Sequence, residues 1–77
     1  NAEMLEVEIS NDSPYLNSLV QDMDLPDDTV ISAIIRDGEL VMPTGQTELL
    51  ERDVLYILTD KKQVKALKEA MGEEVYA

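Results

Sequence analysis

Seventy-seven residues with 17 acidic against 6 basic side chains carry a net charge of −11, which argues against a nucleic-acid backbone or an anionic membrane surface as partner. Cysteine and histidine are both absent, so there is no disulfide staple, no thiolate metal site and no imidazole general base. A chain this short forms one domain whose own core supplies only about 3–5 kcal/mol, and a partner subunit is the remaining source of stability.

No apolar run approaches the ~20 residues that cross a bilayer, and no secretory signal is visible, so no direct membrane insertion is expected and the cytoplasm is the default location. The chain does not start with Met. Residues 1–3 read as a tag remnant or linker, residues 4–72 as the domain and residues 73–77 as a frayed tail, the whole being a piece of a longer protein.

From Met4 to Ile9 the sequence alternates, with Leu5, Val7 and Ile9 on one side and Glu6 and Glu8 on the other, the period-two pattern of a half-buried strand. Asn11-Asp12-Ser13-Pro14 ends it and is expected to open a helix, with Ser13 as N-cap and Pro14 at the first helical position. Leu16, Leu19, Val20 and Met23 then fall on one helical face, and Pro26 stops the element. Thr29 to Arg36 reads as a strand whose two faces, Val30, Ser32, Ile34 and Ile31, Ala33, Ile35, are both largely apolar, which predicts a central or doubly covered strand. Asp37-Gly38 is a hairpin turn signal, and Glu39 to Met42 returns, ended by Pro43.

A turn at Thr44-Gly45-Gln46-Thr47 and the short Glu48-Leu49-Leu50 segment lead to Asp53 and the apolar run Val54 to Leu58, an interior strand. Asp60 and Gln63 form a capping-box-like pair for a last helix. Val64, Leu67 and Met71 line its buried stripe, and Gly72 stops it. The expected fold is α+β: a small two-layer domain in β-α-β-β-β-α order, with a mostly antiparallel sheet and two helices.

Chemistry is sparse in this pattern. Asp22, Asp24, Asp27 and Asp28 cluster, but without the turn glycine and closing glutamate of a calcium loop, and they read as a solvated loop. A chain of this size has little room for a substrate cleft of about 300 Å³ or more. No nucleophile elbow, P-loop or dinucleotide fingerprint occurs, so no enzyme is expected. Arg36 ends an apolar strand, where a guanidinium either forks onto a ligand's phosphate or carboxylate or pairs with a nearby Asp or Glu. Met42 and Tyr56 are either pocket lining or core.

Taken in order, Leu25-Pro26-Asp27-Asp28, Ile34-Ile35-Arg36-Asp37-Gly38-Glu39, Pro43-Thr44-Gly45-Gln46-Thr47-Glu48-Leu49 and Asp53-Val54-Leu55-Tyr56-Ile57-Leu58 resemble the TrkA-C domain, also called RCK-C. Ser13-Pro14-Tyr15-Leu16-Asn17-Ser18-Leu19 fits the same family's first helix entry, and the resemblance covers residues 4–72. It implies a cytosolic regulatory domain of a potassium uptake (Trk/Ktr-type) or other cation transport protein, which forms a homodimer, senses a small ligand at the dimer interface and lies peripheral to the cell membrane. Its partner would be a membrane transporter or channel subunit, or an RCK-N domain in the same chain.

Two departures stand out. The family usually carries glycine where Asn17 and Arg52 stand, and a left-handed backbone suits arginine poorly, so a locally different turn is expected before Asp53. Some members bind cyclic di-AMP at the dimer interface through an Asp-x-Arg element and an Asn just before the second strand. Here Asp24-Leu25-Pro26 and Thr29 fall in that region, and Asp24 alone matches. The lost arginine and the charge of −11 argue against that ligand. The candidate ligand-binding set is Asp24, Thr29, Ile31, Arg36, Met42 and Pro43, for a nucleotide-type or cation ligand, with no cofactor and no metal site. Two other functions fit the same residues. One is a structural dimerisation module without a ligand; the other is an accessory C-terminal domain of a chloride channel or antiporter.

Overall fold

The computed structural model describes residues 1–72 and 75–76. Four strands, β1 (Ala2–Glu8), β2 (Thr29–Arg36), β3 (Glu39–Val41) and β4 (Val54–Asp60), build an antiparallel sheet. A two-residue strand β5 (Val75–Tyr76) extends it, and the strand order is β3-β2-β4-β1-β5. The α+β class and the antiparallel sheet are as the sequence leads one to expect. β1 begins at Ala2, inside the stretch read as linker. Val75 and Tyr76, read as tail, pair with Val7 and Glu6; residues 73, 74 and 77 of that tail lie outside the described residues.

Helix α1 (Val64–Met71) follows a 3-10 turn at Lys61–Gln63. Asp60 caps that turn by accepting the Lys62 N–H at 3.0 Å, and Gly72 ends the helix at φ +83, its N–H bonded to the Lys68 carbonyl. Leu67 and Met71 lie in the core with Leu5, Val7, Ile9, Ile31, Ile34, Leu49, Leu55 and Ile57, all on one side of the sheet.

The first expected helix is replaced by turns and a 3-10 turn at Val20–Asp22. Asn17 takes φ +66, a left-handed conformation that an α-helix does not accommodate. The backbone of this segment bonds outward instead. Asn17, Val20 and Gln21 donate to the carbonyls of Leu49, Thr47 and Gly45, and Leu49 donates back to Ser18. These bonds to a segment about thirty residues on replace the i→i−4 ladder, since each N–H donates once. Three of the four side chains nevertheless go where the periodicity points, since Leu16, Val20 and Met23 pack against the core; Leu19 does not join them and its backbone bridges to Glu48 instead.

β2 occupies an interior position in the sheet, but its alternation is broken. Its register against β4 shifts between Ile31 and Ala33, and the Ser32 hydroxyl donates to the Tyr56 carbonyl at 2.8 Å beside that bulge. The extra residue puts Ile31 and Ile34 on the same, buried side. The expected grouping of Ile34 with Val30 and Ser32 is thereby corrected. The turn joining β2 to β3 is left-handed at both Asp37 (φ +51) and Gly38 (φ +78), as the Asp-Gly signal requires.

Candidate functional site

Helix α1 and the 10–28 segment cover one face of the sheet. The strand pairing places Met4, Leu58 and Val30 in one row across the other face, and all three are exposed. Glu6, Tyr56 and Ala33 form the next row, and Val54, Ile35 and Leu40 the one after. Val30, Leu40 and Met42 are 54%, 60% and 65% exposed, far more than a core strand residue. Tyr56 is half-buried beside Glu6. A hydrogen bond to the Glu6 carboxylate, with that group's charge behind it, holds the phenol pKa above its ordinary value. The site is thus an open sheet face, apolar over β2, β3 and β4 and bordered by Glu6 and Glu8 of β1.

The candidate ligand residues separate by what they touch. Ile31 is in the core. The Thr29 hydroxyl lies 3.0 Å from the Asp27 carbonyl and 2.7 Å from the Thr59 hydroxyl. Asp24 is exposed in the loop before β2, Met42 is exposed just past β3, and Pro43 is half-buried beside it. Arg36 forks onto Asp53, with Nε 2.8 Å from Oδ1 and Nη2 2.8 Å from Oδ2, and Nη2 also donates to the Glu48 carbonyl at 2.9 Å. The hydrogen bond to Asp53 raises the guanidinium pKa further, against the opposing effect of burial. Asp53 is 1% exposed and also accepts the Leu50 N–H at 2.8 Å. Of the two partners open to Arg36 in the sequence, the nearby acid is the one it meets.

Arg52 adopts φ +74 immediately before Asp53. The turn is therefore left-handed here with arginine in place, contrary to the expected local difference. Its N–H bonds to the Ile9 carbonyl at 2.6 Å.

Two hollows lie elsewhere. One, of about 620 Å³, is lined by Glu3, Lys61, Val64, Lys65, Lys68 and Glu69; the other, of about 270 Å³, runs along Asn1, Ala2, Asp28, Val30 and Leu58 to Asp60. Neither is lined by the six candidate ligand residues, and composition alone did not reveal the first, because its walls come from both ends of the chain. The lysine spacing in Lys61 to Lys68 was its only trace in the sequence. Among the described residues, no helix is long and apolar enough to cross a membrane, and no group of three or more acidic side chains is placed to hold a metal ion.

Fold and face together define a small α+β module with one sheet surface left uncovered. A family model described as the TrkA-C domain matches residues 4–72, and the chain belongs to that family. It is 32% identical over 73 residues to a Trk system potassium uptake protein TrkA homolog of Archaeoglobus fulgidus. It is 25% identical over 72 residues to a Trk system potassium uptake protein TrkA homolog 2 of Methanosarcina mazei. The matches cover 95% and 94% of this chain but only 17% and 16% of those relatives. A solved structure described as an RCK domain with cda superposes with a TM-score of 0.75 at 28% identity, covering 91% of this chain and all of that one.

Proposed function

We propose that the chain is a dimerising, non-catalytic regulatory domain of a potassium uptake protein or a related cation transport protein, acting on the cytoplasmic side of the membrane. The observation that carries the reading is the open face, where Met4, Leu58, Val30, Leu40 and Met42 are exposed together on one side of the sheet. Contiguous apolar surface of this kind marks an interaction site. The molecule measures 30 × 23 × 22 Å, so one such face approaches the ~800 Å² per partner of a standard interface. The edges favour face pairing over edge pairing. β3 is three residues long, starts with Glu39 and is followed two residues later by Pro43, features that discourage strand addition.

Regulation then follows from two dimer arrangements that a ligand binds unequally. At such an interface Asp24, Met42 and Pro43 are the candidate residues with exposed surface to offer. Engagement of Arg36 by Asp53 and burial of Ile31 favour, as a second reading, a dimerisation module without a ligand.

Light scattering across micromolar concentrations tests the dimer. The wild-type chain runs as a dimer and Leu40→Glu/Met42→Glu as a monomer; a wild type that stays monomeric overturns the reading. A thermal-shift panel of nucleotides, divalent cations and the compound named cda separates the two readings. A ligand at 100 times its Kd stabilises by about 2.7 kcal/mol, and no shift with any of them selects the ligand-free module.

A further inference from the structure

Four of the chain's six cationic residues, Lys61, Lys62, Lys65 and Lys68, fall within eight positions. Lys61, Lys65 and Lys68, four and three residues apart, line one side of the 620 Å³ hollow, and Val64 lies between them. Glu3 of β1 and Glu69 complete the lining. Glu3 lies two residues before the buried Leu5 and so shares its side of β1, which puts the groove on the helix side of the sheet, away from the open face.

Among the described residues, no lysine has a carboxylate oxygen within 4 Å, although Glu3 and Glu69 share the groove, and the ion pair that those residues form is Arg36–Asp53. Three ammonium groups are thus gathered around Val64 in a molecule of charge −11. We propose that this groove docks an acidic, amphipathic segment of a protein partner, its carboxylates meeting Lys61, Lys65 and Lys68 and an apolar side chain resting on Val64.

Other anions fit less well. The groove is open to solvent and its lining includes no arginine, whereas a small ligand is buried over most of its surface and a phosphate is best held by a guanidinium fork. With three lysines against two glutamates, the lining sums to +1, too little to draw a molecule of charge −11 onto an anionic bilayer. A protein segment needs only local contacts within a Debye length of about 10 Å. Carboxylates repeating every three to four residues on a helix match the lysine spacing.

The test uses a capped, fluorescently labelled helical peptide with glutamates three and four residues apart along one stripe and leucines beside them, titrated with this chain. Saturable binding is expected. Lys65→Glu/Lys68→Glu weakens it about tenfold or more, and Lys65→Gln/Lys68→Gln weakens it less but in the same direction. Arg52→Glu/Lys62→Glu carries the same net charge as the first double variant but leaves the groove intact, and it changes affinity by less than about threefold. Circular dichroism checks that the variants keep the fold. Absence of saturable binding, or equal losses in both charge-reversed variants, overturns the proposal. So does tighter, Lys65- and Lys68-dependent binding of inorganic triphosphate or of vesicles of phosphatidylglycerol and phosphatidylcholine. The groove and the dimer face lie on opposite sides of the sheet, so neither result decides the other.

Discussion

Asp53 is a carboxylate taken almost entirely out of water, and three donors meet it there: two from Arg36 and the Leu50 N–H. Removing the arginine leaves the acid with one of them, and a buried charge deprived of its partner is costly. Arg36→Ala is expected to lower stability by about 2–4 kcal/mol. Arg36→Ala/Asp53→Ala should cost less than the two single losses summed, by about 1 kcal/mol or more, because the second change removes the group the first one strands. Urea titration of the four proteins measures that coupling, and a value near zero would show that the pair contributes nothing beyond its separate parts. The sequence offers both residues, one ending an apolar strand and one preceding the next. It does not offer their meeting, which follows from Ile35 lying opposite Val54 across the β2–β4 ladder, a register that only the assembled sheet sets.

At the scale of elements, periodicity was informative wherever the local backbone was free to follow it. β2 starts and ends at the expected Thr29 and Arg36, and α1 buries the Leu67 and Met71 stripe. It misleads in the 13–23 segment, where apolar spacing locates Leu16, Val20 and Met23 on the core, but not Leu19, and not the conformation that brings them there. Local helix signals lose to hydrogen bonds with the Gly45–Leu49 segment, a non-local competitor that a sequence window does not contain.

Ser13 discriminates the two conformations. As a helix N-cap its replacement by alanine would cost about 1 kcal/mol. In the folded chain its hydroxyl is buried with no partner among the described residues, and a buried, unsatisfied hydroxyl is a penalty. Ser13→Ala is expected to leave stability unchanged or raise it by about 0.5–1 kcal/mol. A loss of a full kilocalorie in thermal or urea unfolding would restore the helix and contradict the turns.

For the whole molecule, the uncovered apolar face and the charge of −11 oppose each other. Burial of the face favours association. Bringing together two bodies of like charge, with Glu6 and Glu8 along the border of that face, resists it. The apolar half of this balance was legible in the sequence, since both sides of β2 are rich in branched aliphatics. Which side stays open was not, because the bulge beside Ser32 reassigns Ile34. The two forces respond differently to salt. Repulsion between exposed charges fades as the Debye length falls from about 10 Å at 0.1 M to about 3 Å at 1 M, while apolar burial is not screened. The dimer dissociation constant is therefore expected to fall severalfold as sodium chloride is raised across that range, and sedimentation equilibrium measures it directly. Glu6→Gln/Glu8→Gln should tighten the dimer at low salt and flatten its salt dependence. A dimer that weakens steadily with salt would mean that ion pairs hold the copies together, and the apolar sheet face would then not be the surface they share.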